Sequence, residues 1–386
     1  MKPSPNKNTS VFLDGDLSRA ETQRRGEGIG RKERKDRKDW KCVRLGDVLY
    51  NITWCNTLHS SPAAIPVVSQ GDDEQSLITT KYYYQPKQEV ILFGDHTCKV
   101  KLIDSSCYLS GDGIKLLAPL SGKCNVRFVY HLACFLAQKI PQGYARHLAS
   151  FKELYCYVPP YEEQYEIASA LCSFDALIAA LQSLISKYEA IKKATVKLLL
   201  KPKDSWQQIR LGDIGEVSMC KRILKCQTSA TGDVPFYKIG TFGKQPDAYI
   251  SRSLFGDFKK RFSYPKVGDV LLSAAGTIGR TVVFTGEDAY FQDSNIVWIA
   301  NDEKIVSNRF LNVIYSQIDW QTENGGTVSR LYNANIRDAV ISIPGLNEQK
   351  RIVETLDTID NTIKGLKAQL QKAQAIKQGM MAYFFG

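Results

Sequence analysis

Residues 348–377 repeat the apolar pattern of residues 163–192, so the chain is built from two copies of one plan. Glu163-Gln164 aligns with Glu348-Gln349. Ile167, Leu171, Phe174, Ile178, Leu181 and Ile185 align with Ile352, Leu356, Ile359, Ile363, Leu366 and Leu370. These positions advance by 4, 3, 4, 3 and 4 residues, the a/d spacing of a coiled-coil seam rather than a broad amphipathic stripe. Each copy therefore predicts a helix with a narrow apolar face that needs a partner, and the other copy can supply it.

The duplication extends upstream. Trp40-Lys-Cys-Val-Arg-Leu-Gly-Asp47 matches Trp206-Gln-Gln-Ile-Arg-Leu-Gly-Asp213, and Val158-Pro159 matches Ile343-Pro344. The segments between these anchors differ in length and content. A shared frame around two divergent inserts implies related jobs on different targets, and two copies argue for a pseudo-twofold molecule, not a solenoid.

A chain of 386 residues with 44% hydrophobic content can bury two cores. Its formal charge of +11 makes a polyanion, nucleic acid above all, the expected partner. The ten cysteines do not read as a metal framework. None has CxxC spacing, the nearest pair is Cys220 and Cys226, and His59, His96, His131 and His147 are scattered. Reduced thiols packed as small hydrophobes fit better. No apolar run is expected to reach transmembrane length, and residues 1–39 lack a signal-peptide core, so the expectation is a soluble, cytoplasmic protein.

Residues 1–39 form a polar, basic arm with little to bury, expected to be disordered. Residues 40–160 carry one strand-rich domain, with strands at 67–68, 89–93 and 114–117 and a short helix at 127–138. Residues 161–203 hold the first long helix. Residues 204–345 repeat the strand-rich plan, with strands at 236–239, 269–273, 281–284 and 296–299 and a helix at 308–317. Residues 346–386 hold the second long helix. At about 1.5 Å per residue each long helix would reach roughly 60 Å, the length of a spacer.

Catalytic signatures are not found. The sequence has no Walker A, GxSxG, kinase or HExxH motif, and no glycine-rich cofactor loop after an opening strand. Tyr157-Val-Pro-Pro-Tyr161 looks like the proline loop of DNA amino-methyltransferases, but it lacks the leading Asp or Asn that would accept from the target amine. A helix-initiating proline pair explains it better.

With the two Trp-x3-Arg-Leu-Gly-Asp openings and the two Pro-to-Glu-Gln helix starts in view, the chain resembles the specificity subunits of type I restriction-modification enzymes. So do the Leu171–Asp175 and Leu356–Asp360 steps, and the run Ser273-Ala-Ala-Gly-Thr-Ile-Gly-Arg280 followed by Gln292-Asp-Ser-Asn295. The resemblance covers residues 40–386. It implies an α+β fold of two α/β target-recognition domains in pseudo-twofold arrangement, joined by two long antiparallel helices forming a coiled coil. It implies a non-catalytic subunit in which each domain reads half of a bipartite duplex-DNA sequence, while the helices set the spacer and dock two modification subunits. S-adenosylmethionine would belong to those methyltransferase subunits and no cofactor to this chain; restriction and translocation subunits would complete the assembly. The first domain lacks the Gly-Thr-Ile-Gly run, and the basic arm has no counterpart in the family.

Base edges are read by Arg or Lys on guanine and by Asn or Gln on adenine, with basic groups on phosphates. The candidate DNA contacts in the second domain are therefore Lys259, Lys260, Arg261, Thr277, Arg280, Gln292, Asn295 and Arg330. In the first domain they are Lys99, Lys101, Gln142, Tyr144, Arg146 and His147. Two other readings stay open at this point: a fragment of a fused restriction-methylase, which would bind S-adenosylmethionine, and a coiled-coil scaffold that binds DNA without sequence preference.

Overall fold

The structure is a computed structural model. It describes residues 37, 39–52, 66–71, 81–110, 113–141, 145–318, 320 and 330–386, so Gln142, Tyr144 and nearly all of the basic arm lie outside the described residues. The chain divides into two compact units, 1–180 with 370–386 and 181–369.

In the first unit, β1 (Lys41–Arg44) pairs antiparallel with β9 (Tyr155–Val158). Between them come α1 (Leu45–Val48), β2 (Leu49–Asn51), β3 (Val67–Ser69), β4 (Lys81–Tyr84), β5 (Val90–Gly94), β6 (Val100–Ile103), β7 (Cys107–Ser110), β8 (Ile114–Pro119), α2 (Val126–Ala137) and α3 (Leu148–Lys152). A four-stranded sheet runs in the order β2-β8-β5-β6, and a second sheet runs β3-β7-β4 with β3 and β7 parallel. Helix α4 (Tyr161–Leu199) follows.

The second unit repeats this connectivity. Strand β10 (Gln207–Arg210) pairs with β18 (Val340–Ile343). Between them lie β11 (Gly215–Ser218), β12 (Val234–Tyr237), β13 (Tyr249–Ile250), α5 (Arg252–Arg261), β14 (Val270–Ser273), β15 (Thr281–Val283), β16 (Tyr290–Phe291), β17 (Ile296–Asn301), α6 (Asn308–Tyr315) and α7 (Asn333–Asp338). The four-stranded order is β11-β17-β14-β15, matching β2-β8-β5-β6 strand for strand. The small sheet differs in one place. Its parallel pair β12-β16 corresponds to β3-β7, but the third strand, β13, joins β12 instead of β16. Helix α8 (Leu346–Phe385) ends the chain.

Each four-stranded sheet is buried on both faces, and side-chain alternation divides its strands between two cores. In β5, Ile91 and Phe93 join α1, α2 and residues of the long helices, whereas Val90 and Leu92 pack on the opposite face. In β14, Val270 and Leu272 face α6 and the long helices, and Leu271 faces the aromatic cluster around Phe236, Phe255 and Tyr290. Double burial explains why these strands read as continuous apolar runs instead of alternating ones.

The duplicated motifs are joints of this frame. Gln164 is fully buried at the start of α4, where its amide donates to the carbonyls of Pro159 (2.9 Å) and Lys123 (3.3 Å) and accepts from the Asn125 N–H (2.8 Å). Gln349 makes the same three bonds at the start of α8, to Pro344 (2.9 Å), Ile305 (2.8 Å) and the Ser307 N–H (2.9 Å). Asn125 and Ser307 are the N-caps of α2 and α6, so each glutamine ties a long helix to the first turn of a domain helix. The glycine of each Arg-Leu-Gly-Asp motif marks a close backbone approach. A Cβ at Gly46 would lie 3.1 Å from the Lys152 carbonyl oxygen, and one at Gly212 would lie 3.3 Å from that of Arg337.

Ion pairs report the direction of the long helices. In the second unit Lys203 meets Glu348, Lys192 meets Asp360 and Glu189 meets Lys367; in the first, Asp175 meets Lys377. Residue numbers fall on one helix as they rise on the other, so the pairing is antiparallel. All twelve expected seam residues are buried or half-buried. Their partners, however, are not their repeat counterparts. Ile167 and Leu171 cluster with Met381 and Phe385, while Ile352 and Leu356 cluster with Leu199 and Leu200. Antiparallel packing sets the beginning of one helix against the end of the other, so the seam continues into 196–200 and 381–385, beyond the repeated stretch.

One expectation is corrected. Helix α4 is long and apolar enough, by length and composition, to cross a membrane. The excess over a single seam is visible as a second stripe of exposed residues at seven-residue spacing, Leu177, Leu184, Ile191 and Leu198.

Candidate nucleic-acid interface

In the second unit β14 and β15 form a hairpin whose turn is Ala274–Arg280. Ser273 organises it. Its backbone N–H donates to the Arg280 carbonyl (2.8 Å), and its buried hydroxyl accepts from the Arg280 N–H (2.9 Å) and donates to the Thr277 carbonyl (2.5 Å). Gly276 and Gly279 both take positive φ, 65° and 82°, and a Cβ at Gly279 would lie 2.8 Å from the Trp320 ring. The two glycines of the Gly-Thr-Ile-Gly run are thus demanded by the turn itself and by Trp320. The turn leaves Thr277 exposed and half-buries Arg280, whose guanidinium donates to the Phe242 carbonyl (2.9 Å).

A second turn, Gln292–Asn295, is stitched to the hairpin. Ala274 N–H donates to the Asn295 carbonyl (2.8 Å), and Leu331 N–H to the Ala274 carbonyl (2.8 Å). Arg330 donates to the Ser294 carbonyl (3.1 Å), and the Gln292 side-chain oxygen accepts from the Ile239 N–H (2.9 Å). Ser294 is held at φ 62°, unusual for a residue with a side chain. Beside this turn lies a cleft of about 470 Å³ lined by Gln292, Asn295 and Arg330 together with Arg222, Lys225, Thr228, Lys238 and Asp293. Four cations and one carboxylate give it a positive balance suited to a polyanion.

The structure therefore brings Gln292, Asn295 and Arg330 into one cleft and adds Arg222, Lys225, Lys238 and Asp293, which the sequence reading missed. Arg222 and Asp293 are far apart in the chain, and no local motif links them. Lys259, Lys260 and Arg261 are not among the residues lining the cleft; they occupy the last turn of α5. Lys259 lies over the Phe255 and Tyr264 rings and Arg261 pairs with Asp257 (2.9 Å). Near this site Cys220 is buried, which pushes its thiol up to about 12 and leaves it a packing group. Among the described residues no cluster of His, Cys, Asp and Glu could hold a metal.

The first unit has a hairpin in the same place. Gly94 N–H donates to the Lys99 carbonyl (2.8 Å) as Ser273 does to Arg280, and Asp95 N–H donates to the Gly113 carbonyl (2.7 Å) as Ala274 does to Asn295. The sequence Gly94-Asp-His-Thr-Cys-Lys99 thus stands where Ser273–Arg280, with its Gly-Thr-Ile-Gly run, stands in the second unit, and Lys99 takes the position of Arg280. Lys101 donates to the Gly71 carbonyl (2.6 Å). Arg146 is exposed. His147 is a correction: it is buried, and its backbone N–H donates to the Asp95 carboxylate (2.9 Å) at the start of α3, so its imidazole does not stand on the surface as a base reader would.

Two domains of one topology, each carrying a braced hairpin and tied to one long helix by the same glutamine joint, define a duplicated two-domain protein. The chain matches the family model for the type I restriction modification DNA specificity domain over residues 37–190 and 203–375, and it belongs to that family of non-catalytic specificity subunits. It is 46% identical over 271 residues to a Haemophilus influenzae protein named type I restriction enzyme specificity subunit S.HindORF215P, covering 65% of this chain and 70% of that one. A Methanocaldococcus jannaschii protein named as the MjaX specificity subunit is 22% identical over 402 residues, covering 89% and 92%. The crystal structure of a type I restriction-modification S subunit from M. genitalium superposes with a TM-score of 0.63 at 14% identity, over 90% of this chain and 96% of that one, and shows the shared fold.

Proposed function

We propose that this chain reads a bipartite duplex-DNA sequence, one half with each domain, and that its long helices set the spacing between the halves. The observation that carries this reading is the duplicated topology with divergent hairpin turns, Gly94–Lys99 in one unit and Ser273–Arg280 in the other. A shared frame places both turns alike, and their different side chains favour different base edges. The cationic cleft beside the second turn supports contact with a polyanion.

The exposed stripe Leu177, Leu184, Ile191 and Leu198 on α4 supports a further part of the reading, that modification subunits dock on the long helices and bring S-adenosylmethionine with them. Restriction subunits would join through that complex, in the cytoplasm where the DNA lies. Exposed leucines at heptad spacing suit another helix as occupant.

DNA binding is tested by titrating the purified chain against duplex DNA at rising salt. Neutralising roughly six to ten phosphates should cost about 10³-fold or more in affinity between 50 and 200 mM salt. A flat response would overturn the reading.

A further inference from the structure

Arg222 and Asp293 form an ion pair in the cleft of the second unit, with Arg222 Nε 2.9 Å from Asp293 Oδ2. Asp293 is the fixed partner. Its side chain is only 15% exposed, it belongs to the turn that Arg330 and Gln292 brace, and its Oδ2 also accepts from the Ser294 hydroxyl (3.4 Å). Arg222 is the projecting partner, with a side chain 68% exposed. The carboxylate engages Nε alone. Among the described residues the two terminal guanidinium nitrogens make no hydrogen bond, and they present a planar two-donor fork whose rotation the Nε bond restrains.

We propose that the Arg222–Asp293 pair reads one G·C base pair through the major groove, which deepens the DNA-recognition reading above and rests on it. The edge of a G·C pair presents two acceptors, guanine N7 and O6, followed by a donor, the cytosine N4 amine. The ion pair presents the complement: two donors on Arg222, then an acceptor on Asp293, whose Oδ1 accepts no hydrogen bond among the described residues. An A·T edge offers an acceptor, a donor and an acceptor, so the arginine fork would meet the adenine amine with a donor of its own. A phosphate fits the pair poorly, because the Asp293 carboxylate would stand close to a second anion. The other cations of the cleft suit the backbone better: among the described residues no carboxylate pairs with Lys225 or Arg330, and the Asp247 carboxylate that holds Lys238 is not among the residues lining the cleft.

The test selects binding sites for the full-length chain from a library of randomised duplexes, then repeats the selection with R222A and R222K. Position 222 is exposed, so neither substitution disturbs a core. The wild-type chain should require G·C at one pair that R222A accepts in any form, with the remaining motif unchanged. Affinity for the wild-type duplex should fall about 5- to 150-fold in R222A. R222K, which keeps the charge and loses the fork, should retain binding to non-cognate DNA while losing the preference. Replacing the guanine with 7-deazaguanine removes one acceptor, and should weaken the wild-type chain but not R222A. An R222A motif identical to wild type, or an equal loss of affinity on every sequence, overturns the assignment while leaving DNA recognition intact. A wild-type chain that enriches no motif overturns the recognition reading itself.

Discussion

Gln164 and Gln349 show how a repeated residue can be structural although it sits at the edge of a functional motif. Each satisfies two buried carbonyls and one N–H through a side chain that is itself buried. Replacing Gln349 with Leu keeps the volume and strands all three groups away from water, which should cost about 2–4 kcal/mol. Urea unfolding of Q349L measures this; a midpoint within error of wild type would mean that water replaces the side chain. The repeat made these glutamines visible in the sequence, but not their role, since the partners Asn125 and Ser307 lie about 40 residues upstream in each copy. Arg222 and Asp293 were illegible for the same reason, being paired across 71 residues. The turn that ends at Arg280 was legible because Gly276 and Gly279, neighbours in sequence, carry its positive φ angles.

At the scale of elements, the long helices were legible because their signal is local and periodic: both start at the expected residue, α4 ends four residues before the expected boundary and α8 one residue before it. Short strands that close over long distances were less so. Strands β1, β9, β10 and β18 carry the Trp-x3-Arg and Val/Ile-Pro motifs, yet their pairing joins residues more than a hundred positions apart. Helix α2 carries a test of how tightly the first unit packs on its helices. His131 is fully buried, with Nε2 3.5 Å from Cys172 Sγ and 3.8 Å from Asp175, and Nδ1 has no partner among the described residues. Burial is the main force lowering its pKa, with Lys377 and Arg127 acting in the same direction and Asp175 opposing. The neutral form is therefore the native one. Stability from this site is complete above the free imidazole value of about 6.5 and is lost as pH falls through that value toward the depressed one, because the unfolded chain takes up the proton first. The thermal midpoint should decline from pH 7 to pH 5 in the wild-type protein and decline less in H131F. Equal slopes would remove His131 from the account.

At the scale of the whole molecule, the repeat in the sequence and the repeat in the strand order are the same fact seen twice, and the two copies diverge in the hairpin turns, in the third strand of the small sheet and in α5, which stands between β13 and β14 where five residues join β4 to β5. The proposed ruler can be tested without touching either domain, provided the insertion respects antiparallel register. Repeat-equivalent positions, such as those after Leu181 and Leu366, do not face each other; Glu189 and Lys367 do, and so do Lys192 and Asp360. A heptad inserted after Ala190 in α4 and another after Lys364 in α8 fall between these two ion pairs on both helices, keep the seam in phase and preserve both pairs. The added length is about 10 Å, about three base pairs of DNA rise. If the helices set the spacing, the variant should select the same two half-sites separated by roughly three more unspecified base pairs. A four-residue insertion in α4 alone should instead rotate Leu199 and Leu200 away from Ile352 and Leu356 and lower the unfolding midpoint. The motif selected by the heptad variant decides the matter: a folded, DNA-binding protein that kept its original spacer would show that something other than the long helices holds the half-sites apart.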